Sequence, residues 1–265
     1  MILHSKIIGD SDRTLLILHG LYGSSDSWLR VANLLSDRFT IHLPDLRNHG
    51  ESFKNDIHTY QAMVEDVKNY LDDKKINNIN IIGHSMGGKL AMFFAANYPE
   101  YIHKLVIADI SPRSYKALLQ NDPNGNFHLN LLSIMKKLDL SAYKDYRSLS
   151  KVLIEYGETV KNVILKNVDK KDGQFFWKIN VLALFNNINN ILDGLNPDDF
   201  IDKKITTKTL FLKASNSIYL TNTDEKIIDF IFANADIQEI SNAGHWLHYD
   251  NPNDTVSKIL AFLNK

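Results

Sequence analysis

The chain has 265 residues, 44% of them hydrophobic, no cysteine, and 30 Lys plus Arg against 31 Asp plus Glu, for a formal net charge of −1. So even a balance argues against a nucleic-acid groove or a basic membrane-binding face, and the missing cysteine excludes disulfides, thiolate catalysis and cysteine-ligated zinc. The length suits one large α/β unit with room for an inserted subdomain.

In chain order, residues 2–8 read as a first strand, with no charged segment followed by a long apolar one ahead of it. No apolar run approaches the ~20 residues of a membrane span, so a cytoplasmic protein without a membrane span is expected. Thr14 to Leu18 is a buried strand ending in His19-Gly20-Leu21-Tyr22-Gly23. Trp28 to Leu35 reads as a helix capped by Ser25, Asp26 or Ser27. Phe39 to Leu43 is the next strand, and the loop 45–52 follows Pro44. Thr59 to Leu71 is an amphipathic helix. A short apolar strand then runs through Ile81 and Ile82 into Gly83-His84-Ser85-Met86-Gly87-Gly88, and apolar residues recur at helical spacing as far as Tyr98-Pro99. Leu105 to Ala108 is a further strand.

The alternation lapses between about 111 and 197. Leu129 to Leu138, Leu149 to Tyr156, Val160 to Val168 and Phe175 to Leu192 all read as helical, which predicts a helical cap at 111–197 inserted in a core of 1–110 and 198–265. Asp122-Pro123-Asn124-Gly125-Asn126 reads as a turn, and its misplaced glycine and missing distal glutamate rule out a calcium loop. Strands at Thr209 to Lys213 and Ile237 to Ile240, each followed by a helix, complete the chain. The pattern predicts an α/β fold with a mostly parallel sheet covered on both faces, and such sheets work at the carboxyl ends of their strands.

Glycine–x–serine–x–glycine between a strand and a helix is the nucleophile elbow of an α/β-hydrolase, with Ser85 as nucleophile. A serine hydroxyl needs a base. His245, after the last strand, has the right chain order, with His248, His19 and His84 as competitors. The turn is expected to splay the His84 side chain away. The orienting acid usually follows the strand after the insertion, but 214–219 holds no carboxylate and Asp224 suits a helix start. Asp109, ending the strand after the elbow helix, is the candidate acid, and Ser217 on the vacant loop is an auxiliary partner. The oxyanion donors are expected to be the backbone N–H groups of Leu21 and Met86.

Taken together and in order, 19–23, 45–52, 83–89, 108–112 and 244–246 resemble the small α/β-hydrolases of the YbfF-like esterase branch. The resemblance implies hydrolysis of carboxylic esters and acyl thioesters without a cofactor, with the acid at Asp109 and a serine at Ser217 joining the site. No metal-ligand spacing is present, so no metal is expected. Phe176, Trp177 and Phe185 are candidates for walls of an apolar acyl pocket, beside the plainer reading that they pack the cap. Carbon–carbon bond hydrolases and related lyases of the same fold, and a ligand-binding receptor derived from a hydrolase, stay open as alternatives.

Overall fold

The computed structural model describes residues 1–116 and 127–264; the turn expected at 122–126 lies outside them. Seven strands form one sheet: β1 (Ser5–Ile8), β2 (Thr14–Leu18), β3 (Thr40–Pro44), β4 (Ile79–His84), β5 (Ile102–Ala108), β8 (Lys208–Ala214) and β9 (Ala235–Ile240). Their order is β1-β3-β2-β4-β5-β8-β9, and every pairing is parallel except β1 on β3. Side chains alternate across the sheet, so each central strand feeds two apolar layers. Leu16 and Leu18 of β2 join the layer that holds helices α2 (Tyr60–Lys74) and α3 (Met86–Asn97). Leu15 and Ile17 join the opposite layer, with Trp28 and with Val31 and Leu35 of helix α1 (Leu29–Leu35).

The strand order reverses beside β2. The chain leaves β2 toward β3, then crosses back to lay β4 on the other flank of β2. A crevice opens at the carboxyl ends of strands whose connections depart in opposite directions. Residues 19–23 and Ser85 both leave the sheet there.

Two local readings change. The first helix begins as a 3-10 turn, Ser25–Trp28, capped by Ser24, whose hydroxyl accepts from Asp26 while Ser27 bonds back to the Ser24 backbone. The segment between β5 and β8 is not wholly helical. Strands β6 (Val168–Lys171) and β7 (Gln174–Trp177) form an antiparallel hairpin. Its two-residue turn is Asp172-Gly173, with φ of 51° and 83°. Both central residues at positive φ match the twist of a hairpin, which is why Asp-Gly favours one. The apolar run 175–177 therefore belongs to a strand, and helix begins only at Val181–Asn186. No helix among the described residues is long and apolar enough to cross a membrane.

Candidate active site

The elbow is built from close backbone approach. A Cβ on Gly83 would lie 2.4 Å from the Gly87 carbonyl oxygen, and one on Gly87 would lie 2.3 Å from that of Leu18. Only glycine fits there, and the tight turn leaves Ser85 at φ 54° and ψ −120°. A non-glycine residue in that region is strained, so packing on both sides must hold it.

Asp109 also has positive φ, 49°, a conformation that Asp tolerates better than most residues. Its backbone N–H donates to the Leu212 carbonyl oxygen at 2.8 Å. The side chain is fully buried. One carboxylate oxygen, Oδ1, accepts from the Ala214 N–H at 3.1 Å, and the other, Oδ2, accepts from the Ser217 hydroxyl and from His245 Nδ1 at 2.8 Å. The loop after β8, which lacks a carboxylate, supplies donors to one instead. Asp224 is elsewhere: it accepts from the Thr221 N–H at 2.8 Å and pairs with Arg113 at 2.6 Å.

With Nδ1–H turned to Asp109, the network assigns the lone pair of His245 to Nε2, which faces the Ser85 hydroxyl at 2.9 Å. Serine, imidazole and carboxylate thus form one unbroken relay. Such a relay can remove the hydroxyl proton and hold the resulting imidazolium against a buried anion.

Two backbone amides are candidates for an oxyanion site. The Gly20 carbonyl oxygen accepts from the Gly23 N–H at 2.9 Å and from His19 Nδ1 at 2.8 Å. In a planar trans peptide the next N–H points the opposite way, so the Leu21 amide turns outward from that knot. His19 is held neutral in this role: burial lowers it, and its Nε2 accepts from the Leu46 N–H at 3.0 Å. The Met86 amide opens α3, whose first-turn N–H groups have no partner inside the helix. Neither amide meets an acceptor among the described residues.

The competing histidines have other roles. His84, expected to splay clear, packs its ring 4.8 Å from that of His245 and donates Nε2–H to the His245 carbonyl oxygen at 2.8 Å. It steadies the loop of the candidate base. His248 is buried, stacked 4.3 Å from Trp28, and pushed down to about 3 by burial. Of the candidate pocket residues, Phe176 is 41% exposed on the hairpin, Phe185 lies under Lys136 at 4.5 Å, and Trp177 is half-buried. The rings that surround His245 among the described residues are instead His84, Trp246 and Tyr219, the last at 4.0 Å. Tyr219 was not singled out from the sequence. Its signal was its place two residues beyond Ser217, on a loop that converges on the acid.

Lys89 was also missed. One turn beyond Ser85 it is 1% exposed, and its Nζ donates to the carbonyl oxygens of Arg113, at 2.5 Å, and Asp193, with the Tyr115 ring 4.6 Å away. Those carbonyls lie near the two ends of the segment between β5 and β8, so one amino group ties both to the elbow helix. Burial pushes Lys89 down to about 7, against the opposing charge of Asp193 and with help from Arg113 and Lys116. The unfolded chain, with an ordinary lysine near 10.4, binds a proton that the folded chain lacks across this window. Stability should therefore rise from pH 7 to 9 by on the order of 1 kcal/mol per pH unit from this group. Urea midpoints at both pH values should show a rise in wild type that is smaller by that amount in Lys89→Met; equal slopes would refute it.

The profile of the alpha/beta hydrolase fold family matches residues 13–252. A putative esterase/lipase of Haemophilus influenzae is 35% identical over 95% of this chain and 83% of its own length. The esterase YbfF of Escherichia coli is 29% identical over 94% and 91%. A solved marine microorganism esterase superposes with a TM-score of 0.92 at 38% identity, covering 98% of this chain and 99% of that one. By this match across most of its length, the chain belongs to the alpha/beta hydrolase fold family, among its esterase-type hydrolases.

Proposed function

We propose that the protein is a serine hydrolase that cleaves carboxylic esters or acyl thioesters of small to medium apolar acyl groups through an acyl-enzyme. The relay from the Ser85 hydroxyl through His245 to Asp109, at 2.9 and 2.8 Å, carries this reading. Ser85 Oγ attacks the carbonyl carbon as His245 Nε2 takes its proton. The carbonyl oxygen becomes an oxyanion held by the Leu21 and Met86 amides. His245 then gives the proton to the departing alkoxide or thiolate, leaving Ser85 acylated. Water, deprotonated by the same nitrogen, attacks the acyl carbon, and the serine oxygen recovers its proton. Ser217 and Ala214 hold the Asp109 carboxylate so that its Oδ2 stays on His245.

In this reading residues 1–110 and 198–265 form the catalytic core, and 111–197 form a cap that sets substrate choice. Wild-type protein should hydrolyse p-nitrophenyl butyrate with many turnovers per chain, and a parallel series of oxygen esters and acyl-CoA thioesters should define the acyl range. A burst equal to the enzyme concentration and nothing after it would favour a ligand-binding receptor over an enzyme.

A further inference from the structure

A polar pair beside the candidate base, His128 and Tyr219, is left unused by this mechanism. His128 is the second residue of the cap helix Phe127–Lys137. On one side its ring lies 5.7 Å from that of Tyr22, the neighbour of Leu21, and the Tyr22 hydroxyl donates to the His128 carbonyl oxygen at 3.4 Å. On the other side its Nε2 is 3.3 Å from the Tyr219 hydroxyl, and the Tyr219 ring lies 4.0 Å from that of His245. His128 thus bridges Tyr22, beside the candidate oxyanion loop, and Tyr219, which packs on the candidate base, at the edge of the site.

Nδ1 of His128 is shielded from solvent and meets no hydrogen-bond partner among the described residues. A buried polar nitrogen without a partner costs free energy, which calls for an explanation. Burial, and then the charge on His245, push this imidazole down to about 4, so the ring is neutral at pH 7 and Nδ1 is either one donor or one acceptor. A neutral ring disfavours an anionic ligand. A hydroxyl, which donates and accepts, suits either tautomer.

The position selects one side of the substrate. The carbonyl oxygen belongs to the Leu21 and Met86 amides. The leaving oxygen must lie near His245 Nε2 to be protonated, and Tyr219 covers that ring. We propose that His128 Nδ1 and the Tyr219 hydroxyl form a hydrogen-bonding subsite for the alcohol portion of the ester, favouring substrates whose leaving alcohol carries a second hydroxyl group. The proposal rests on the esterase reading above.

Propyl butyrate and 2-hydroxyethyl butyrate test it, since they share an acyl group and differ by methyl against hydroxyl. The kcat/KM of each is normalised to its hydroxide-catalysed rate. In wild type the hydroxyl ester should be preferred about tenfold, the effect of one hydrogen bond. His128→Phe should bring the ratio close to unity, and His128→Gln, which keeps a donor and an acceptor, should restore part of it. If His128→Phe does not fold, Tyr219→Phe reads the same ratio and should also lower it. No preference in wild type, or a preference that survives loss of either polar group, overturns the subsite and leaves the esterase reading standing. Failure of wild type to hydrolyse both esters overturns the esterase reading and the subsite with it.

Discussion

Asp109→Asn should lower kcat by on the order of 10⁴ while the protein stays folded. The substitution is isosteric, and the Ala214 N–H keeps its acceptor if the amide oxygen takes the Oδ1 position. The amide nitrogen then faces His245 Nδ1 as a donor. The imidazole must answer with a lone pair at Nδ1, which moves its proton to Nε2, opposite the Ser85 hydroxyl. Nε2 then has no lone pair to take the hydroxyl proton, and the base is lost although the histidine remains. Asp224→Asn probes the rival position. That carboxylate pairs with Arg113 and caps the turn at Thr221, with its side chain 2% exposed. Its loss should lower stability, as when one partner of a buried pair is removed, while turnover by the folded fraction falls far less than in Asp109→Asn. Rates corrected for folded fraction by active-site titration check both. The reverse ranking would move the acid to Asp224.

Ser85→Ala should have an effect as large or larger, a fall in kcat of on the order of 10⁴ to 10⁶ on every ester. Any remaining rate would come from the Leu21 and Met86 amides acting on bound substrate, with water as nucleophile. Stability offers a second signature. Ser85 sits at φ 54°, which alanine tolerates no better than serine. Glycine does, so Ser85→Gly should be about 1 kcal/mol more stable than Ser85→Ala by thermal or urea unfolding, with both equally inactive. Equal stability of the two would indicate that the elbow is not strained.

Much of this site is written in short stretches of sequence. Glycines 83 and 87 mark a turn with no room for a Cβ, and apolar runs on both sides of them announce the strand and helix. The contact of Asp109 with His245 was legible because the loop 214–219 lacks a carboxylate, which left one sensible alternative for a partner of the histidine. What was not legible depends on contacts far apart in the chain. His128 meets Tyr219 at a separation of 91 residues, and Lys89 meets Asp193 at 104. Neither pair leaves a periodicity or motif behind. A lone lysine in a helix looks solvated until two distant stretches of chain are found to close over it. The hairpin was missed for another reason. Aromatic residues 175–177 match a helix-packing pattern as well as a strand, and only Asp172-Gly173, with both φ values positive, decides between them.

The most direct measurement is covalent. Wild-type protein treated with a fluorophosphonate, followed by intact-mass and peptide analysis, should carry a single adduct on the Ser85 oxygen, and Ser85→Ala should carry none. A protein that stays unmodified, or takes the label on another side chain, contradicts the account.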